Sequence, residues 1–269
     1  MSDETVAKKA AAAAAEADDR ARYGRAEFGM PLSRASHAFR WIAKATVGRI
    51  ARLYFRIEMV QVENYPTTGP FILAPSHRSN IDTALLGASM PRWHRYMAKD
   101  DMFRSPFWTQ FTIALGGFPV RRGKLDREVL ASALRVLENG EPLTIYPEGA
   151  RQDGPRIKPI FEGAVWVAAR AGVPIVPLGI GGSAAANPIG EKMIYPRKTV
   201  LVYGEPMHLP KPPEGKRRLP RSALEDAAAE LRERLQAVFD EAQELAGTPN
   251  GAWSPEEEVG RREPWKNEA

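Results

Sequence analysis

His77 and Asp82 stand five positions apart in the stretch Pro75-Ser76-His77-Arg78-Ser79-Asn80-Ile81-Asp82. An imidazole titrates near neutral pH, so it can accept and return a proton. A carboxylate at a fixed offset can bond its second nitrogen and set the tautomer. The chemistry open to such a pair is general-base activation of a hydroxyl. The same residues also suit a plainer arrangement, a helix start capped by Ser76 or Ser79 with an incidental histidine, and the spacing alone does not choose between them.

Three later stretches also carry polar or proline residues in or just after apolar runs expected to be strands, and open α/β folds collect ligands at the carboxyl ends of their strands. Gly116-Gly117-Phe118-Pro119-Val120-Arg121-Arg122-Gly123 ends an apolar run in two arginines. Arginine there suits bidentate binding of phosphate or carboxylate, although a solvated basic turn explains it equally well. In Ile145-Tyr146-Pro147-Glu148-Gly149-Ala150-Arg151, a tight turn at Gly149 could hold Glu148 and Arg151 in one cleft. The carboxylate would then orient the guanidinium or bond a substrate hydroxyl; an exposed Glu–Arg pair would be worth little. Val173-Pro174-Ile175-Val176-Pro177 reads as an apolar wall.

The elements that must position these residues alternate along the chain. Strands are expected over 58–62, 70–74, 95–98, 117–121, 143–146, 175–180 and 199–203, and helices over 81–89, 105–114, 126–139, 161–171 and 221–245. That alternation predicts an α/β fold, a single domain with a central mixed, largely parallel sheet flanked by helices. An amphipathic helix over 33–56 precedes it. There Arg40, Lys44, Arg52 and Arg56 recur among Phe39, Trp41, Ile42, Val47, Ile50, Leu53, Tyr54 and Phe55. Such a segment suits an anionic bilayer surface, its basic side chains snorkelling to the headgroups. The alternative is an ordinary amphipathic helix packed on the core.

With 269 residues, a formal net charge of +5 and 43% hydrophobic residues, the chain can build a core and permits an anionic partner without selecting one. It has no cysteine, which excludes disulfides, thiolate metal sites and a cysteine nucleophile. His94 and His208 lack ligand-spaced partners, so no metal site is expected. No nucleic-acid motif is visible, and Gly179-Ile180-Gly181-Gly182-Ser183-Ala184 lacks the last glycine of a dinucleotide fingerprint. No signal peptide is expected at the start. The longest uncharged run, residues 171–190, is broken by three prolines and five glycines, so no transmembrane helix is expected either.

Taken in order, these blocks resemble the 1-acylglycerol-3-phosphate acyltransferase (PlsC-like) family over roughly residues 57–205. The His-x4-Asp block is His77 to Asp82. The glycine followed six residues later by arginine is Gly116 and Arg122. Pro-Glu-Gly-x-Arg is Pro147 to Arg151, and Val-Pro-Ile-Val-Pro is residues 173–177. The resemblance implies acyl transfer from acyl-CoA or acyl-carrier protein to a lysophospholipid hydroxyl, with no cofactor and no metal. His77 would be the base, Asp82 its orienting partner, and Arg122, Glu148, Gly149 and Arg151 the pocket for the acceptor's phosphate. One departure stands out: where the family often has Phe-Lys-Lys-Gly, this chain has Phe161-Glu162-Gly163, with Lys158 or Arg156 placed to compensate. Glycerol-3-phosphate or another lysophospholipid or glycolipid is therefore an alternative acceptor. A non-catalytic basic membrane-binding protein is the alternative from another class. The expected division is a flexible or frayed helical arm over 1–30, a membrane-surface helix over 31–57, an acyltransferase domain over 58–246 and a charged tail over 247–269. The expected location is the cytoplasmic face of the cell membrane, peripheral or monotopic.

Overall fold

Phe71 and Leu73 pack on one face of the sheet and Ile72 and Ala74 on the other, all fully buried, in the computed structural model of this protein. It describes residues 32–103, 105–120, 127–210 and 219–250. The expected arm over 1–30 lies outside these residues, as do Arg121, Arg122, much of the 210–220 connector and the tail beyond Asn250.

The helical start comprises α1 (Arg34–Ala43), a π turn (Lys44–Gly48) and α2 (Arg49–Tyr54). Then follow β1 (Glu58–Val60), β2 (Ile72–Pro75), α3 (Asp82–Ser89), β3 (Arg95–Lys99) and α4 (Pro106–Ala114). β4 (Gly117–Val120), α5 (Arg127–Glu138), β5 (Leu143–Thr144), α6 (Gly163–Ala171) and β6 (Ile175–Gly181) continue the alternation. α7 (Ser183–Ala186), β7 (Val200–Tyr203) and α8 (Arg221–Leu245) complete it. The strands form one seven-stranded sheet in the order β1-β7-β6-β2-β5-β3-β4. Among the described strands only β6 and β7 pair antiparallel, with one further antiparallel bridge between Ile175 and Met207. This is the mixed, largely parallel α/β fold that the alternation predicts.

Several boundaries differ for local reasons. β1 stops at Val60 because Gln61 takes a left-handed φ of 57° and residues 62–64 form a 3-10 turn. β5 is two residues long, because the chain leaves the sheet for the turn at Tyr146–Gly149. The short helix α7 was not expected. The glycines of the failed dinucleotide pattern have a packing role: a Cβ on Gly179 would lie 2.0 Å from the Val238 carbonyl, and one on Gly181 2.0 Å from that of Ala242. Spaced two apart, they share one strand face and let the backbone of α8 lie directly on β6.

The helical start departs most from expectation. Ser33 caps it as expected, accepting from Ser36 N at 3.1 Å. Three of its basic side chains, however, bond inward, while Arg34, Arg49 and Arg56 stay exposed. Arg52 donates to the Ala88 and Ser89 carbonyls, Lys44 to those of Met90 and Pro91, and buried Arg40 to those of His94 and Leu115. The carbonyls at the end of α3 lack intrahelical partners and carry its negative dipole end, so Arg52 and Lys44 are drawn there rather than left to snorkel. Most of the apolar side chains are left facing outward as well.

Candidate active site

α3 begins at Asp82, and this carboxylate builds the turn before it. One oxygen, Oδ2, accepts from Arg78 N, Ser79 N and His77 Nδ1, each at 2.8 Å. Asp82 is fully buried, whereas the His77 side chain keeps 17% exposure. A carboxylate only accepts, so neutral His77 carries its proton on Nδ1 and turns the Nε2 lone pair outward. Among the described residues nothing bonds Nε2. The ring thus holds one tautomer with Nε2 unbonded, placed by the central strand β2.

The ring is held from a second side. Tyr146 stacks on His77 with centroids 4.0 Å apart and planes 24° apart, and its hydroxyl bonds Thr83 Oγ1 at 2.9 Å. Burial, then the Asp82 charge, pushes the Tyr146 phenol well above its ordinary range. It therefore stays neutral beside the imidazole.

Glu148 does not pair with Arg151 as the tight turn suggested. It is buried, with Oε1 2.7 Å from Arg78 Nη1 and Oε2 accepting from Lys158 N at 3.0 Å. Buried charges require partners, and Arg78 is the buried cation within reach. Arg78 also donates to the carbonyls of His77, Gly154 and Arg156, and lies 4.7 Å from the Phe239 ring. Gln152 N adds a bond to the His77 carbonyl at 2.9 Å. One guanidinium thereby ties the histidine turn to the segment 148–158.

The Arg151 and Lys158 side chains are half-buried and bond nothing among the described residues. Gly149 has φ 69°, and a Cβ there would meet the Phe161 ring at 2.6 Å. Phe161 N also donates to the Pro147 carbonyl at 2.9 Å, which sets the departing Phe161-Glu162 stretch against the Glu148 turn. Ser76 and Ser79 are spent on structure: Ser76 Oγ accepts from Ile180 N, and Ser79 Oγ donates to the Asn187 carbonyl.

Residues 56–181 match the family model described as Acyltransferase. Over that stretch the chain is similar to the PlsC-like acyltransferases. The 1-acyl-sn-glycerol-3-phosphate acyltransferase of Bacillus subtilis is 28% identical over 153 residues, 56% of this chain and 74% of that protein. The chloroplastic enzyme LPAT1 of Arabidopsis thaliana is 26% identical over 182 residues, 66% of this chain but only 50% of the relative. The crystal structure of the 1-acyl-sn-glycerophosphate acyltransferase PlsC from Thermotoga maritima has the same fold. Its TM-score is 0.59 at 22% identity, covering 83% of this chain and 86% of that one.

In this chain the structure brings His77, Asp82, Glu148 and Gly149 into one bonded neighbourhood and sets Arg151 and Lys158 on its bordering segment. Arg122 lies outside the described residues. Sequence reasoning missed Arg78 and Tyr146. Arg78 sits inside the His-x4-Asp block and was available as a buried partner for Glu148. Tyr146 immediately precedes Pro147, and only its stacking against His77 marks it.

Proposed function

We propose that this protein is an acyltransferase that moves a fatty acyl group from acyl-CoA or acyl-carrier protein to the free hydroxyl of 1-acylglycerol-3-phosphate, giving phosphatidic acid. The observation that carries this reading is His77 Nδ1 bonded to buried Asp82 with Nε2 left open, beside a segment whose Arg151 and Lys158 side chains bond nothing among the described residues. Nε2 takes the acceptor's hydroxyl proton as that oxygen attacks the thioester carbonyl. Asp82 stabilises the imidazolium that forms. The tetrahedral adduct collapses, the carbon–sulfur bond breaks, and the imidazolium returns its proton to the departing sulfur. The chemistry draws on no metal or prosthetic group. Arg151 and Lys158, together with Arg122, supply cations for the acceptor's phosphate. The names of the Bacillus and Arabidopsis relatives support this acceptor.

Glu162 favours a second reading of the same reaction, in which the acceptor is glycerol-3-phosphate or a different lysophospholipid. An acidic side chain beside the phosphate segment disfavours a dianion.

The reaction is set at the cytoplasmic face of a membrane. No helix among the described residues is long and apolar enough to cross one. Trp41 (72% exposed), Ile50 (67%) and Leu53 (80%) face outward from α1 and α2. An exposed apolar helix face of this kind supports docking on a lipid surface.

The deciding experiment follows thiol release from acyl-CoA with 1-acylglycerol-3-phosphate, glycerol-3-phosphate or another lysophospholipid as acceptor. Release with the first alone supports the primary reading, and release only with another acceptor favours the second. No release from acyl-CoA or acyl-carrier protein with any acceptor would sink both.

A further inference from the structure

Ile189, Met193, Ile194 and Tyr195 all face solvent, in a segment far in sequence from the helical start, and Met193 is 64% exposed. Two bonds hold this segment against α2. The Tyr54 hydroxyl donates to the Ile194 carbonyl at 2.9 Å, and Arg56 Nη2 to the Pro196 carbonyl at 3.3 Å. Its other end is bonded to the histidine turn, where Ser79 Oγ donates to the Asn187 carbonyl at 2.8 Å. Asn187 in turn donates to the Glu191 and Met193 carbonyls at 3.2 and 2.9 Å, which shapes the loop from within. One short segment therefore joins the catalytic turn to the outward apolar face of α2.

The occupant of this surface is constrained by charge. Arg49, Arg56, Lys192 and Arg197 are all exposed along α2 and the loop, and the one carboxylate in the loop, Glu191, already accepts from the Tyr195 hydroxyl at 3.1 Å. Apolar side chains rimmed by cations match an anionic bilayer, with hydrocarbon for the first and headgroup phosphates for the second. A second copy of the chain would set one basic rim against another.

We propose that residues 188–195 are a second lipid-contacting element, seated on the same anionic bilayer as α1 and α2, so that the turn carrying His77 is held at headgroup depth. This rests on the reading that α1 and α2 dock on a lipid surface. A single-chain lipid acceptor then keeps its acyl chain in the bilayer while its hydroxyl approaches Nε2.

Because the chain has no cysteine, single reporters are unambiguous. The full chain carrying Leu53→Cys, Met193→Cys or Glu233→Cys is labelled with an environment-sensitive fluorophore. Each is mixed with phosphatidylcholine–phosphatidylglycerol vesicles containing nitroxide-labelled lipid. The expected result is blue-shifted, quenched emission at 53 and 193 and neither change at 233, on the exposed side of α8. Quenching at 53 with 193 behaving like 233 overturns the inference and leaves helix docking intact. No quenching at 53 or 193 overturns both. Bare vesicles contain neither acyl donor nor acceptor, so the outcome is independent of the reaction assigned above.

Discussion

Arg78 Nη1 and Glu148 Oε1 lie 2.7 Å apart with both side chains buried, joining two sequence blocks seventy positions apart. Removing either partner strands a buried charge. Arg78→Met or Glu148→Leu is expected to destabilise the fold by about 3–5 kcal/mol, read as a drop in urea midpoint. Arg78→Lys keeps the charge but loses the fork that reaches Glu148, Gly154 and Arg156. Because that fork sets the segment bearing Arg151 and Lys158, Arg78→Lys should raise the acceptor KM more than it lowers kcat. An unchanged KM would show that the segment is positioned by other contacts.

His77→Ala should lower kcat by about 10²–10⁴-fold, the usual value of a positioned general base. Asp82→Asn should approach the same loss, since an amide can present a donor to Nδ1 and reverse the tautomer. The control is His208→Ala, at an exposed position. His94→Ala is unsuitable, because His94 is buried and bonded to Tyr65 and Thr144. Full activity in His77→Ala would refute the base assignment.

Burial, reinforced by Arg92, Arg40 and Lys44, holds the His94 imidazole down at about 3 from an ordinary 6.5. The unfolded chain therefore binds the extra proton between those values. Stability from this group is complete above about pH 6.5 and is lost as pH falls toward 3. At about 1.4 kcal/mol per unit, several kcal/mol are involved. Urea midpoints across this window should fall with acid, and His94→Gln should flatten the slope while lowering the neutral-pH midpoint. An unaltered slope would assign the acid lability to other groups.

Gly149→Ala forces a side chain into left-handed backbone and against the Phe161 ring. The backbone alone costs about 1–2 kcal/mol. Displacement of Phe161 should also raise the acceptor KM, so stability and KM are measured together. If neither moves, the turn tolerates a Cβ and Phe161 is free to shift.

Leu53→Asp removes a large exposed apolar group without touching the core. Its thermal midpoint should be nearly that of the parent. Loss of about 1.5–3 kcal/mol of apolar transfer should weaken flotation with anionic vesicles at least about tenfold. Equal flotation would place the lipid-contacting surface elsewhere.

The alternation of apolar runs and helical segments was enough to predict a largely parallel α/β sheet, because periodicity reports which faces are buried. The ordered blocks carrying His77, Asp82, Glu148 and Arg151 likewise put these residues just after strands β2 and β5. Pairing was not legible. Glu148 could meet Arg151 through a local turn or Arg78 across the sheet, and only burial of the carboxylate, which demands a buried cation, decides for Arg78. The stacking of Tyr146 on His77 depends on β2 and β5 being neighbours, which no local pattern states. The helical start makes the same point in reverse. Its amphipathic composition was plain from the sequence, but which side faces inward depended on the open carbonyls at the end of α3. Tertiary packing put Lys44 and Arg52 there, set Arg40 on the His94 and Leu115 carbonyls, and left Trp41 and Leu53 facing out.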